Sequence, residues 1–151
     1  MLKNGNKAPD FTLPDQDGRP ATLTDACAEG LVVVYFYPAD FTPGCTKEAC
    51  TIRDMHGEIA ASGLRVLGIS PQDVASHTRF HRRYGLPFTL LADPQKIAIK
   101  AYGVDGPFGI GVRRATFLVN PDRVIVSSVV ADLRIGLHED FIRAALPAAK
   151  P

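Results

Sequence analysis

The hydrophobic pattern of the chain is dominated by one unbroken apolar run at residues 31–37, Leu-Val-Val-Val-Tyr-Phe-Tyr. The run is β-branched and aromatic and has no polar alternation, which is typical of a strand covered on both faces. We therefore predict a central strand here. Two shorter segments, residues 11–13 and 21–23, flank the turn-rich residues 15–18 and predict a small N-terminal hairpin.

Helical periodicity begins immediately after the central strand. Apolar or small residues recur at Ala49, Ile52, Ile59 and Ala60 and stop at Gly63, which predicts an amphipathic helix from Pro43 to Gly63. The remaining patterns predict a strand at 64–69, a helix at 73–84, a short helix opened by Asp93-Pro94 and ending near 102, strands at 115–119 and 124–130, and a closing helix at 137–146.

These elements follow the order β-α-β-α-β-β-α after the hairpin. Parallel crossovers followed by a hairpin and a helix predict an α/β fold with a mixed central sheet flanked by helices. That order is the one used by the thioredoxin fold. The length of 151 residues and the absence of a repeat, linker or low-complexity tract predict a single domain over residues 1–151.

Composition narrows the function classes. Lys plus Arg total 17 against 16 for Asp plus Glu, so no charge excess favours nucleic acid or an anionic membrane as partner. The longest apolar run is far shorter than the roughly 20 residues that cross a bilayer. The N-terminus lacks the apolar stretch of a secretory signal, and we expect a cytoplasmic protein.

Three cysteines do not form a disulfide framework, so each one is inert, catalytic or metal-bound. Thr42 is a candidate N-cap, with Pro43 at the first helical position and Cys45 at the third. Unpaired backbone amides and the helix dipole favour a thiolate over a thiol at such a position, and the thiolate is the nucleophilic form. The alternative is a structural cysteine near a helix start.

Cys50 lies five residues after Cys45. In an intact helix this step separates the two Cα atoms by about 8–9 Å, whereas a disulfide needs less than about 7 Å. A bridge between the two cysteines would therefore require the helix to unwind locally. The alternative is that Cys50 is a buried small hydrophobe.

The segment from Tyr35 to Asp54, which contains Thr42-Pro43-Gly44-Cys45 and Cys50, closely resembles peroxiredoxins of the Q, or bacterioferritin comigratory protein, type. Further similarity lies at residues 8–13, 67–70, 88–93 and 114–119, so that the resemblance covers most of the chain. It implies a thioredoxin-like thiol peroxidase that reduces hydrogen peroxide and organic hydroperoxides without a cofactor or metal.

The resemblance also implies roles for individual residues. Cys45 is expected to be the peroxidatic cysteine and Cys50 the resolving one, with an intramolecular disulfide that thioredoxin or a glutaredoxin-like dithiol reduces. A resolving cysteine on the same helix needs no partner subunit, so we expect a monomer.

The Thr42 hydroxyl can orient thiolate and peroxide together, and Pro38 can shield the sulfur from water. Arg114, or the adjacent Arg113, can bind the oxygen that gains charge; because neighbouring strand residues face opposite ways, only one of them can face the site, and the family spacing selects Arg114. Glu48 is expected to fix that arginine, or else to be a first-turn acid favoured by the dipole.

Other interpretations remain open at this point. A thiol-disulfide oxidoreductase on the same fold is the main rival, although it ordinarily has Cys-x-x-Cys, and a binding module with structural cysteines is the second. Cys27 has no partner at an informative spacing and is expected to be a free, partly buried thiol. Metal binding by His77 with His81, or by Cys45 and Cys50 with His56, fits no complete ligand set.

Overall fold

The computed structural model describes residues 1–149, with side chains as far as Leu146. The strands are β1 Thr12–Pro14, β2 Pro20–Thr22, β3 Val32–Phe36, β4 Arg65–Ser70, β5 Thr89–Ala92, β6 Ala115–Val119 and β7 Ile125–Val130. The helices are α1 Leu23–Ala26, α2 Pro43–Asp54, α3 His56–Ser62, α4 Val74–Tyr84, α5 Ile97–Ala101 and α6 Gly136–Ala149, with a 3₁₀ turn at Pro107–Gly109.

The main sheet has the strand order β5-β4-β3-β6-β7. β3 pairs in parallel with β4 and antiparallel with β6, β4 is parallel to β5, and β7 is antiparallel to β6. β1 and β2 form the separate N-terminal hairpin. The predicted mixed sheet with β3 at its centre is confirmed, and the arrangement is thioredoxin-like.

The pleat of β3 divides the core into two parts. Val32, Val34 and Phe36 face one buried cluster, whereas Val33 and Tyr35 face the other. The second cluster also contains Cys45 and the apolar face of α2 and of α6. Because successive strand residues point to opposite faces, the unbroken apolar run of β3 supplies both sides of the sheet.

Two sequence-based helix predictions are wrong in detail. The single helix predicted from Pro43 to Gly63 is two helices, because the Met55 amide is shared between the carbonyls of residues 51 and 52 and the turn tightens there. The helix predicted from Asp93-Pro94 starts only at Ile97. Asp93 still caps it, since its carboxylate accepts from the amides of Ile97 and Ile99 at 2.8 and 2.9 Å.

The fifth strand, β5, was not predicted. It has only four residues, and of these only Thr89 is β-branched, so the pattern gives little strand signal. The single domain predicted for residues 1–151 extends over residues 150 and 151, which lie outside the described part of the chain, and it stays a prediction. Within residues 1–149, no helix is long and apolar enough to cross a membrane.

Candidate active site

Cys45 lies in the first turn of α2, where the sequence places it. Thr42 is the N-cap and Pro43 begins the helix. The expected side-chain cap is absent, because the Thr42 hydroxyl donates to the Ala39 carbonyl at 3.2 Å instead of accepting from a helix amide. The hydroxyl of Thr42 therefore does not occupy the amides of the first turn. Cys45 is buried in this turn and only 2% exposed as a residue.

Arg114, the residue immediately before β6, contacts Cys45. Its Nη2 lies 3.1 Å from the Cys45 Sγ. Gly44 permits this approach, because a Cβ at that position would lie 3.3 Å from the same Nη2. Arg113 points the other way and pairs with Asp132 at 2.9 Å. Only one of the two arginines thus contacts Cys45, and it is Arg114, the one that the family spacing selects.

Glu48 holds the other end of the guanidinium. It lies three residues after Cys45 on α2, is 2% exposed, and accepts from Arg114 Nη1 at 2.6 Å. Burial raises the pKa of Glu48 to about 7, against the lowering effect of Arg114. Burial opposes the charge on Arg114, but Glu48 and the Cys45 sulfur outweigh it, so the pKa of Arg114 is raised.

Polar atoms around this ion pair are incompletely satisfied. Among the described residues, the buried side-chain atoms without a hydrogen-bond partner are Tyr35 Oη, Glu48 Oε2 and Arg114 Nε. Burial raises the pKa of Tyr35 well above its usual value, and Glu48 and Cys45 add to that shift. The site thus holds charge in a low-dielectric environment, where electrostatic interactions are stronger than in water.

His138 of α6 is a site residue that the sequence did not reveal. Its Nδ1 lies 3.8 Å from Glu48 Oε2 and 2.7 Å from the Thr116 hydroxyl, and its Nε2 lies 2.9 Å from the Ala131 carbonyl. A carbonyl only accepts, so Nε2 carries a proton and Nδ1 accepts from Thr116 in the neutral ring. Burial lowers the pKa of His138, and Arg114 adds to that effect.

The raised pKa of Glu48 makes stability depend on pH. The ordinary pKa of this carboxyl group is 4.5 and its folded pKa is about 7, so its contribution to the free energy of unfolding is complete below pH 4.5 and is lost as pH rises to about 7. Across this window the free energy of unfolding of the wild type should fall by up to about 3 kcal/mol relative to that of Glu48→Gln. Urea unfolding of both proteins at several pH values measures the difference. Glu58→Gln, an exposed change on α3, serves as control, and a pH-independent difference between Glu48→Gln and wild type would contradict the prediction.

Cys50 and Pro38 complete the predicted set. Cys50 is half-buried on the same uninterrupted helix as Cys45, and both are free thiols. Pro38 is half-buried and, with Arg114, Val112 and Ile110, lines an open cavity of about 470 Å³. A small molecule can therefore approach Arg114 from this side.

The remaining candidates lie away from Cys45 or have other partners. Cys27 is free and buried more fully than expected, at 1% exposed, and burial raises its pKa. The Nε2 atoms of His77 and His81 contact the carbonyls of Leu91 and Phe88. No group of three or more His, Cys, Asp or Glu side chains among the described residues is arranged to hold a metal ion.

Comparison with known proteins agrees with this geometry. The model of the AhpC/TSA family matches residues 4–128. A relative from Coxiella burnetii, named as a peroxiredoxin bcp, is 43% identical over 143 residues, which are 91% of this chain and 93% of the relative. A peroxiredoxin of Mycobacterium tuberculosis is 45% identical over 131 residues, 83% of each protein.

Solved structures give the same assignment. The crystal structure of the peroxidoxin BcpB from Mycobacterium tuberculosis superposes with a TM-score of 0.92 at 36% identity and covers 100% of both chains. A bacterioferritin comigratory protein of Xanthomonas campestris, studied for alkyl peroxide reduction, gives a TM-score of 0.83 at 33% identity over 93% of this chain and 92% of its own. The chain therefore belongs to the AhpC/TSA family, in which its relatives are peroxiredoxins of the bcp and Q types, and it is a thiol peroxidase.

Proposed function

We propose that Cys45 is the peroxidatic cysteine of this thiol peroxidase. The observation that carries the proposal is the 3.1 Å contact between Arg114 Nη2 and a buried sulfur in the first turn of α2. The Cys45 thiolate attacks the terminal oxygen of a hydroperoxide. An S–O bond forms, the O–O bond breaks, and the leaving alkoxide or hydroxide takes up a proton, which leaves Cys45 as a sulfenic acid.

Arg114 supports two stages of this step. Its charge stabilises the thiolate before attack and the oxygen that becomes negative as the O–O bond breaks. Glu48 fixes the guanidinium through the second nitrogen at 2.6 Å. We assign supporting roles to the exposed Thr42 side chain and the half-buried Pro38 of the loop before α2: the hydroxyl orients the peroxide and the proline ring excludes water.

Cys50 is proposed to resolve the sulfenic acid. The Cys50 thiolate attacks the Cys45 sulfur, an S–S bond forms, the S–O bond breaks, and the leaving hydroxide takes up a proton from solvent to become water. Because both residues share α2 and an intact helix holds them about 8–9 Å apart, the helix must unwind between them before the bond forms. An external dithiol such as thioredoxin, or a glutaredoxin-like protein, then reduces the disulfide and restores both thiols.

The setting of the enzyme follows from the same chemistry. A resolving cysteine on the same helix requires no second subunit, which supports a monomer. Three free cysteines in one chain suit a reducing compartment, and we place the protein in the cytoplasm. Its substrates on this proposal are hydrogen peroxide and organic hydroperoxides.

Replacing Cys50 tests the proposal through a stalled reaction. Cys50→Ser should consume about one equivalent of peroxide and then stop, because the Cys45 sulfenic acid has no internal thiol to condense with. Peroxide consumption with thioredoxin, its reductase and NADPH gives the stoichiometry, and mass spectrometry after dimedone labelling locates the sulfenic acid. Wild type should show a Cys45–Cys50 disulfide instead.

The matched control is Cys27→Ser, which removes the third thiol at a buried position outside the site. This variant should turn over at the wild-type rate and form the same disulfide. Sustained turnover by Cys50→Ser would refute the resolving role of Cys50. Dimedone labelling on a residue other than Cys45 would refute the peroxidatic role of Cys45.

A further inference from the structure

A second buried polar cluster lies beside the loop that leads into α2. At its centre Asp40 and His77 are in contact, with Oδ2 and Nδ1 separated by 2.7 Å and both side chains 0% exposed. Asp40 belongs to the loop of residues 37–42 between β3 and α2, which also carries Pro38 and Thr42. His77 lies on α4, so the contact joins the catalytic loop to a separate helix.

Both oxygens of the Asp40 carboxyl group have hydrogen-bond partners. The Tyr37 hydroxyl donates to its Oδ1 at 2.7 Å, and the Ser76 hydroxyl and His77 Nδ1 approach its Oδ2 at 2.7 Å each. These three contacts tie the buried carboxyl group to Tyr37 and to two residues of α4. Replacing such a group leaves several buried donors unpaired at once.

The partners of His77 assign its protons. Nε2 faces the Leu91 carbonyl at 3.0 Å, and a carbonyl only accepts, so Nε2 bears a hydrogen. Nδ1 faces the Asp40 carboxylate, and a proton must lie between these two atoms at 2.7 Å. The hydrogen-bonded pair therefore links Asp40 of the loop, through the His77 ring, to the Leu91 carbonyl of β5.

A neighbouring aromatic contact fixes the same loop. Phe41 has a left-handed backbone with φ of 66°, which is uncommon for a residue other than glycine. Its ring packs against Phe80 and Tyr84 of α4, with centroid distances of 5.2 and 6.3 Å. A residue in this conformation persists only where its surroundings hold it, and here α4 holds both Asp40 and Phe41.

The loop joins α2 at Thr42. The Thr42 carbonyl accepts from the Thr46 amide at 2.8 Å, which closes the turn that contains Cys45. We infer that the buried, hydrogen-bonded Asp40–His77 pair positions residues 38–42 against the Cys45 sulfur, which makes His77 a positioning residue for peroxide attack. The inference rests on the proposed role of Cys45 as the peroxidatic cysteine.

The position of the loop of residues 37–42 and the reactivity of the Cys45 thiol depend on different contacts. Arg114 reaches Cys45 from the start of β6 and Glu48 holds it from α2, so neither contact involves Asp40 or His77. A displaced loop therefore misplaces Pro38 and Thr42 relative to the peroxide and leaves the Arg114–Cys45 contact in place. Small misplacements of this kind can cost about a hundredfold in rate.

His77→Gln tests the inference, with two rates measured by stopped flow on reduced protein. The rate constant of Cys45 with hydrogen peroxide should fall about 10-fold to 100-fold, whereas alkylation of Cys45 by iodoacetamide should change less than about threefold, since it requires the thiolate but no oriented peroxide. His81→Gln, one turn further along α4, is the matched control and should change neither rate. Tyr37→Phe, a nearly isosteric change that removes one donor to Asp40, should reduce the peroxide rate alone and to a smaller extent.

A measurement on the wild type is independent of how the variants fold. In protein labelled with ¹⁵N-histidine, the Nε2 hydrogen of His77 should exchange slowly with solvent, because it donates to the Leu91 carbonyl inside the protein, with the signal assigned by its loss in His77→Gln. A rapidly exchanging Nε2 hydrogen overturns the buried pair. Unchanged peroxide rates in His77→Gln and Tyr37→Phe, or an equal fall of both rates, overturn the positioning role, whereas failure of wild-type Cys45 to react with peroxide refutes the proposed function itself.

Discussion

Cys45→Ser is expected to abolish peroxide reduction, with a loss of at least about 10⁴-fold, because removal of a catalytic nucleophile has effects of this size or larger. A serine hydroxyl is a far weaker nucleophile than a cysteine sulfur, and it does not take up oxygen from a peroxide. Arg114 would keep its ion pair with Glu48 at 2.6 Å, so the site would remain assembled around an inert side chain.

The measurement is peroxide consumption under thioredoxin turnover and in a single-turnover assay without reductant. Both should fall to the level of a blank without enzyme, in contrast to Cys50→Ser, which retains one turnover. The thermal unfolding midpoint serves as a check on folding, because Cys45 is buried and its replacement changes core packing. Peroxide consumption at the wild-type rate by folded Cys45→Ser would exclude Cys45 as the nucleophile.

The parts of the fold that the sequence predicts well are those with strong local signals. β3 is central because an uninterrupted apolar run has no polar face to expose, and all five of its residues are buried. The helix start at Pro43 follows from Thr42 and Pro43, and the left-handed Gly63 and Gly85 end their helices as glycine commonly does. Local rules suffice here because the determining residues are neighbours in sequence.

The parts that were missed depend on tertiary contacts. The Thr42 hydroxyl turns back to Ala39, which helix-capping statistics do not distinguish from a true cap. β5 gains its strand character from pairing with β4 at the sheet edge rather than from its own composition. In both cases the partner is set by the fold and not by residue type alone.

The polar clusters also depend on tertiary contacts that the sequence does not predict. His138 meets Glu48 across a sequence separation of ninety residues, and no spacing rule links them. His77 and His81, four residues apart, suggested a metal pair, yet one turns into the core toward Asp40 and the other toward the Phe88 carbonyl. Titratable residues on one helix face become informative only when the opposing element is known.

Arg114→Lys should reduce the rate constant with peroxide by about 10²–10³, the cost of losing one well-placed donor to a developing negative charge. The guanidinium uses separate nitrogens for Cys45 at 3.1 Å and Glu48 at 2.6 Å, and its planar shape fixes both at once. An ammonium group is a single point charge, so a lysine held by Glu48 cannot also reach the sulfur with the same geometry. Stopped-flow measurement on reduced protein gives the rate constant.

Arg113→Lys is the matched control, since Arg113 is half-exposed and pairs with Asp132. Its replacement should lower the rate constant with peroxide by less than about threefold, because exposed ion pairs contribute little free energy. Arg114→Lys should also slow alkylation of Cys45 by iodoacetamide, because the same guanidinium stabilises the thiolate. This separates Arg114 from His77, whose replacement is expected to slow the peroxide reaction alone. If Arg114→Lys and Arg113→Lys have equal effects, the 3.1 Å contact does not contribute to catalysis, and the dipole and free amides at the start of α2 remain as the groups that activate Cys45.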